Sequence, residues 1–353
     1  MRGLLYYSIR SWIFLGLFFY YKRIKVLGVD NIPKDKPLLF LSNHQNALLD
    51  ILLIANHCSR KPYFLARADI FKNRFFRPFF SFLQMLPVYR LRDGKASLSK
   101  NEAIFNRCGE LLNQGEAILL FPEANHSLKR RVRPLSKGFT RLLFNAWKMN
   151  PDLDMHIIPI GQNYQTPNEI GDSATLCFGK PIRVKDFIAI SDKKTVEITK
   201  AVVADRLKGL TTHIENEVQY EAVVNQLESQ NVDYGHPKAI NSFLKGEIEI
   251  KKLPKYPTNK LLSLIRAFFY LINLPLVFLW RALLKPKVPE PEFMTTFRFG
   301  YSMVAYPIFY GLALLVLTYV YNIKTACLFV FGHAVFNHIF IKLGLVTSSV
   351  QRK

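Results

Sequence analysis

The run LLFLSNHQNALLD, residues 38–50, places a short apolar segment directly before a histidine and an aspartate six residues apart. Leu38–Ser42 is short, apolar and bounded by turn-forming or charged residues, the pattern of a buried strand. His44 and Asp50 follow it, ahead of an apolar helical stretch at 51–55. An imidazole at a strand end can take a proton from a hydroxyl, while a carboxylate fixes its tautomer and stabilises the imidazolium. No serine or cysteine nucleophile is needed if that hydroxyl belongs to the substrate. On a regular helix, residues six apart fall on different faces, so the segment must be partly loop for the pair to meet. The competing reading is an Asn/His turn capping a helix, with Asp50 an ordinary first-turn acid.

Working outward, buried-strand patterns recur at 63–66, 117–121, 157–161 and 175–178. Pro159 predicts an edge strand or a bulge for the third of these. Ser99 is placed to N-cap a helix through Leu112 that stops near Gly115, with Ile104, Cys108, Leu111 and Leu112 as its apolar stripe. Strands alternating with helices predict an α/β domain around a largely buried sheet. Residues 194–226 carry a long helical pattern, and 229–260 are lysine-rich with Pro237, Pro254 and Pro257, as in a linker or a membrane-skimming arm.

Three further segments carry candidate chemistry. In LPVYRLRDG (86–94), Arg90 ends an apolar run and offers a planar donor fork for phosphate, against the plainer reading of a surface arginine. FPEANHS (121–127) directly follows a strand pattern, where α/β folds place ligand contacts. Glu123 there can bond an acceptor hydroxyl or hold a basic residue in place. Downstream, Lys129, Arg130, Arg131, Arg133 and Lys137 form a basic stretch ending in Lys137-Gly138, where backbone donors can also meet an anion.

The chain has 353 residues, half of them hydrophobic, and a net charge of +22. A balance that basic calls for a polyanionic partner. The apolar ends favour a lipid surface, and no nucleic-acid module is visible, so membrane lipids rather than nucleic acid are the expected partners. Four dispersed cysteines predict neither a disulfide framework nor a structural zinc site, and point to a reducing compartment. The N-terminal stretch is aromatic, interrupted by Arg10 and lacks a small-residue cleavage site, so it reads as an interfacial helix rather than a removed signal. Residues 301–321 are uncharged and long enough to span at ~20 residues per crossing. Residues 326–345 are a poorer second candidate, and 261–280, broken by Arg266 and Pro275, a third. The expected organisation is a membrane-associated segment (1–32), a catalytic domain (33–230), a basic linker (231–260) and a C-terminal membrane region (261–353) with one to three helices.

Taken in order, these segments resemble the glycerolipid acyltransferase superfamily, which includes the glycerol-3-phosphate and 1-acylglycerol-3-phosphate acyltransferases. The likeness runs from about residue 37 to 181: an NHxxxxD-like block, an apolar run ending in Arg90, FPEANHS against FPEGxxS, and a proline-containing apolar strand. The resemblance implies a mixed sheet flanked by helices, with an N-terminal interfacial helix and C-terminal transmembrane helices. It implies His44 as general base and Asp50 as its orienting acid, with no metal and no covalent acyl-enzyme. It implies an acyl thioester, on coenzyme A or acyl carrier protein, as co-substrate and no resident cofactor. Asn43, Arg90, Glu123 and Ser127 would lie toward the acceptor, and Lys137 and Gly138 toward phosphate or donor. The catalytic domain would face the cytosol. Two departures stand out: five residues rather than four separate His44 from Asp50, which a bulge at Leu48-Leu49 would absorb. Ala124 and Asn125-His126 replace the usual glycine and Thr-Arg. Acyl transfer to another lipid acceptor, such as a lysophospholipid or an amino-acid lipid, and a catalytically inactive lipid-binding scaffold are the alternative readings.

Overall fold

The computed structural model describes residues 2–72, 80, 83–89, 99–186, 193–250 and 260–346. In chain order its main elements are α1 (Arg2–Tyr20), β1 (Arg23–Leu27), β2 (Leu38–Ser42), α2 (Ala47–His57), β3 (Tyr63–Arg67), β4 (Met85–Val88), α3 (Lys100–Asn113), β5 (Ala117–Leu120) and α4 (Gly138–Met149). There follow β6 (His156–Tyr164), β7 (Ser173–Phe178), β8 (Ile182–Arg183), α5 (Lys193–Leu210), α6 (Tyr220–Ser229) and α7 (Pro237–Leu244). The C-terminal region holds α8 (Lys260–Ile272), α9 (Leu274–Leu279), α10 (Met294–Val320) and α11 (Ile323–Lys342).

The strands form one mixed sheet in the order β1-β7-β6-β2-β5-β3-β4, with β8 beside β6. Strands β6, β2, β5, β3 and β4 are mutually parallel, so their C-terminal ends share one rim. The pair β1 and β7 runs the other way, joined antiparallel to β6. Every residue of β2 is buried. Leu38 and Phe40 pack on one face with Leu17, Leu49, Leu53 and Phe299. Leu39 and Leu41 pack on the other with residues of α3, α4 and α5, such as Leu112, Phe139 and Leu207. Each fully buried Leu or Phe contributes about 1.5–3 kcal/mol, so a strand filled on both faces is the anchor of both layers.

Four expectations are corrected here. Pro159 sits in a central strand, not at an edge or bulge. Its carbonyl accepts from Gly179 N at 2.8 Å, and the N and C=O of one strand residue face the same side. The missing N–H therefore points at the turn between β7 and β8, where the ladder is already broken. The 194–226 pattern is two helices. The α5 C-terminus is closed by Asn163, whose Nδ2 donates to Leu210 O at 3.0 Å and whose Oδ1 accepts from Thr212 N at 3.2 Å. Residues 231–250 are not a free linker: Val232, Tyr234 and Ile240 pack with Ile214, Tyr220 and Leu227 in a satellite core. Residues 1–32 are not a separate segment either, because β1 is a sheet strand. The expected helix after Ser99 is present as α3, although Ser99 makes no side-chain capping bond to it.

Helix α1 buries Tyr6, Leu17 and Tyr20 while Leu4, Leu5, Trp12, Phe14 and Phe18 stay exposed, as a helix lying against lipid requires. Arg10 donates to Asn56 O at 3.1 Å and Cys58 O at 3.2 Å, so the charge within this apolar helix caps the end of α2. Helices α10 and α11 are long and apolar enough to cross a membrane. Between α8 and α9 the chain bends by 79° at buried Asn273, whose side chain is held by Asn337 and Tyr306.

At the β6–β7 turn, buried Asp172 accepts from Thr166 N (2.8 Å) and Ser173 N (2.7 Å). Burial pushes its carboxyl up to about 7, against the pull of those bonds. A folded pKa above the unfolded value gives stability that is complete below the ordinary carboxylate range and is lost as pH rises through 7. Asp172→Asn is expected to abolish that loss: its melting temperature should gain on wild type as pH rises from about 4 to 8. A constant difference in thermal melts across that range would contradict this.

Candidate active site

The C-terminal rim of the parallel strands gathers the sequence motifs. His44 follows β2, the Phe121–Ser127 loop follows the neighbouring β5, and Gln162 and Tyr164 end the other neighbour, β6. Asp50 lies in the first turn of α2. His44 Nδ1 is 2.7 Å from Asp50 Oδ2. The residues between are loop as far as Asn46, as the spacing demanded, and α2 begins at Ala47. Ala47 takes a positive φ of 41°. Leu48 and Leu49 do not bulge: they lie in the helix, Leu49 wholly buried and Leu48 turned outward with its N–H donating to Thr296 Oγ1 at 3.2 Å.

Asp50 is wholly buried and surrounded by donors. The Gln45 and Asn46 N–H groups each reach Oδ2 at 2.8 Å, and Tyr164 donates its hydroxyl to Oδ1 at 2.6 Å. Burial and then the Asp50 charge raise the Tyr164 phenol well above its ordinary range, so it remains a donor. With a carboxylate facing Nδ1, that nitrogen carries the proton and Nε2 keeps a free lone pair. The imidazole stacks on Phe121 with centroids 3.9 Å apart and is nearly at right angles to His126 at 5.7 Å. The Ser127 N–H fixes the His44 carbonyl at 2.9 Å, tying the two loops together. Such a site can withdraw a proton from a hydroxyl presented at Nε2.

Asn43 faces β6: its Nδ2 donates to Gln162 O at 3.0 Å and its Oδ1 accepts from Gln162 N at 2.7 Å. Glu123 is buried and held by Arg133, whose Nε and Nη2 donate to Oε2 at 3.0 and 2.6 Å. Burial raises the Glu123 carboxyl, and the Arg133 charge opposes that rise. Gln45, Asn43, Arg131 and Thr212 surround a small polar recess. There Arg131 Nη1 is buried without a hydrogen-bond acceptor among the described residues, with Glu217 Oε2 3.7 Å away. His126 Nε2 is 2.8 Å from Glu290 Oε2, in the segment before α10. His126, Glu290 and Glu292 bring one donor atom each within 4.8 Å of one another, but the His126–Glu290 hydrogen bond accounts for this convergence without a cation.

Residues 23–162 match the family model described as Acyltransferase. This segment is similar to the acyltransferase family. Relatives include chloroplastic 1-acyl-sn-glycerol-3-phosphate acyltransferases of Arabidopsis thaliana and Brassica napus, each 28% identical over 130 residues, 36% of this chain. The chain spans about a third of the length of these plant relatives, 34% and 36%. Glycerol-3-phosphate O-acyltransferase 1 of Saccharomyces cerevisiae is 29% identical over 87 residues, 24% of this chain and 12% of its own. Among solved structures, the 1-acyl-sn-glycerophosphate acyltransferase PlsC of Thermotoga maritima aligns with a TM-score of 0.41 at 20% identity, covering 58% of this chain and 78% of its own.

Within the matched segment, both departures have structural meaning. Ala124 has a φ of 64°, a conformation that glycine adopts freely and alanine does not. Ala124→Gly is expected to stabilise the protein by roughly 0.5–1 kcal/mol in thermal melts, the side-chain strain outweighing the added chain entropy. His126 reaches out of the domain to Glu290. Lys137 is exposed at the start of α4, which Gly138 opens, and Ser136 N links it to the loop through Pro122 O at 2.7 Å. Arg90 lies outside the described residues. Tyr164 and Phe121 were not singled out from sequence. Tyr164 was in reach, because residues 160, 162 and 164 share one strand face.

Proposed function

We propose that the chain transfers a fatty acyl group from an acyl thioester, on coenzyme A or acyl carrier protein, to a hydroxyl of 1-acylglycerol 3-phosphate or glycerol 3-phosphate. The observation that carries this reading is the His44–Asp50 pair, locked by two backbone N–H groups and Tyr164, with no partner for Nε2 among the described residues. His44 Nε2 takes the proton of the acceptor hydroxyl as its oxygen attacks the thioester carbonyl. The tetrahedral intermediate collapses with loss of thiolate, which receives that proton from the imidazolium. Asp50 stabilises the transient positive charge. No step calls for a metal or a covalent acyl-enzyme. The basic loop supports a phosphorylated acceptor, with Arg131 and Arg90 as its proposed phosphate ligands and Glu123 holding Arg133 in the loop. The domain is proposed to face the cytosol, where the thioester donor is made, and a protease-protection assay tests that placement.

The test is acyl transfer by the purified full chain. Acyl-CoA and acyl carrier protein thioesters are each offered with glycerol 3-phosphate, 1-acylglycerol 3-phosphate and a phosphate-free lysolipid. Product with a phosphorylated acceptor is the expected result. Product only with the phosphate-free acceptor would overturn the acceptor assignment, and none with any pair would overturn the reaction.

A further inference from the structure

A cavity of about 260 Å³ lies between α1, α10 and α11, outside the family-matched segment. Trp12, Gly16, Phe299, Met303, Tyr306 and Asn337 are among the residues that line it. Gly16 lets α1 approach α10 closely: a Cβ there would meet Met303 Sδ at 2.0 Å. Its walls are mainly apolar, and most of the polar atoms it borders belong to one amide–phenol network, while the Tyr20 hydroxyl and His338 Nδ1 have no hydrogen-bond partner among the described residues. The Tyr306 hydroxyl donates to Asn273 Oδ1 at 3.0 Å, and Asn337 Oδ1 accepts from Asn273 Nδ2 at 2.8 Å. The site therefore offers mostly methylene contacts, and Trp12, Leu15 and Phe19, partly exposed on α1, border it.

We infer that this cavity holds the hydrocarbon tail of the acceptor, which makes the acceptor a lipid already bearing one acyl chain. The inference rests on the proposed acyl transfer and selects between its two acceptors. Three observations join the cavity to the site. Helix α10 carries both: Thr296 bonds the Leu48 N–H beside the His44 loop, and Phe299, Ser302, Met303 and Tyr306 follow on the same helix. From Thr296 to Tyr306 is about 15 Å at ~1.5 Å per residue, comparable with half of the ~30 Å hydrocarbon core that one lipid tail fills. The basic stretch Lys129–Arg133 at the rim complements a phosphate at the other end of such a lipid. An anionic head and a single tail fit that arrangement, and a bilayer-resident acceptor reaches it from the lipid side. A water-borne thioester arrives from the opposite phase.

The test uses the full chain in nanodiscs and a 1-hexadecanoyl-type glycerol 3-phosphate carrying a diazirine near the methyl end of its chain. On irradiation, adducts are expected on Trp12, Met303 and Tyr306, suppressed by excess unlabelled 1-acylglycerol 3-phosphate. Ser302→Trp, which fills the cavity, should remove these adducts. It should also raise KM for the long-chain acceptor roughly tenfold, as expected for a few lost methylene contacts, with kcat and the thioester KM unchanged. A hexanoyl acceptor should respond equally to wild type and variant. Adducts spread over lipid-facing positions such as Leu312 and Leu315, insensitive to competitor, would make the occupant ordinary bilayer lipid and overturn the inference. So would a change confined to the thioester KM, which would assign the cavity to the donor. A wild type that labels as expected yet transfers no acyl group would overturn the reaction and leave the binding site standing.

Discussion

His44→Ala is expected to lower kcat by about 10²–10⁴-fold, the usual worth of a positioned general base, with the thioester KM little changed. The side chain is partly exposed and its removal opens no core cavity, so circular dichroism and melting temperature should remain near wild type. Asp50→Asn should fall short of that loss. An asparagine oxygen will stay with the Gln45 and Asn46 N–H groups, since its amide nitrogen there would set donors against donors. The His44 tautomer is then kept while the charge that stabilises imidazolium is gone. Tyr164→Phe should lose less again, because the two backbone donors still hold Asp50. Steady-state kinetics of the three variants should give that order; a fully active His44→Ala would remove the general-base assignment.

Arg133→Met is expected to be among the most destabilising single changes in the catalytic domain. It strips the partner from Glu123, whose side chain is 2% exposed, and an orphaned buried charge costs about 3–5 kcal/mol. The melting temperature should fall by roughly 10 °C. Glu123→Met added to Arg133→Met should recover most of that loss, because two apolar groups no longer strand a charge. Both single variants should impair turnover, since Arg133 also donates to the Asn125 carbonyl and so fixes the loop beside His44. If the double variant recovers stability but not activity, the pair serves the shape of the loop rather than the endurance of the fold. A double variant as unstable as Arg133→Met alone would contradict the argument from desolvation.

Much of this was legible in the sequence, for identifiable reasons. Strands β2, β5 and β7 announced themselves because burial on both faces leaves short apolar runs, and β3 did so although only Phe64 in it is fully buried. The His44–Asp50 pair was legible because six residues cannot bring two side chains together on a helix. Ala124 was flagged because a glycine-like position penalises a Cβ. Pro159 misled, because proline is excluded from a ladder only where its nitrogen faces a partner, and here it faces a turn. The break between α5 and α6 was hidden because Asn163, far away in sequence, ends the first helix. Residues 231–250 looked like a linker because their few apolar side chains show no periodicity until Ile214 and Tyr220 are placed beside them. The contributions of Thr296 and Glu290 to the site come from more than 160 residues downstream of the loops they touch, as no local pattern records.

Helix α10 is longer than a bilayer needs. Its 27 residues make about 40 Å at ~1.5 Å each, against ~30 Å of hydrocarbon. The surplus lies at its start, where Thr295 donates to Pro167 O, Thr296 accepts from Leu48 N and Arg298 donates to Asn168 O. A rod so fastened at one end transmits its tilt to whatever it is fastened to. Membrane thickness biases the tilt of a spanning helix, and the fastened start of α10 touches the turn that presents His44 and Asp50.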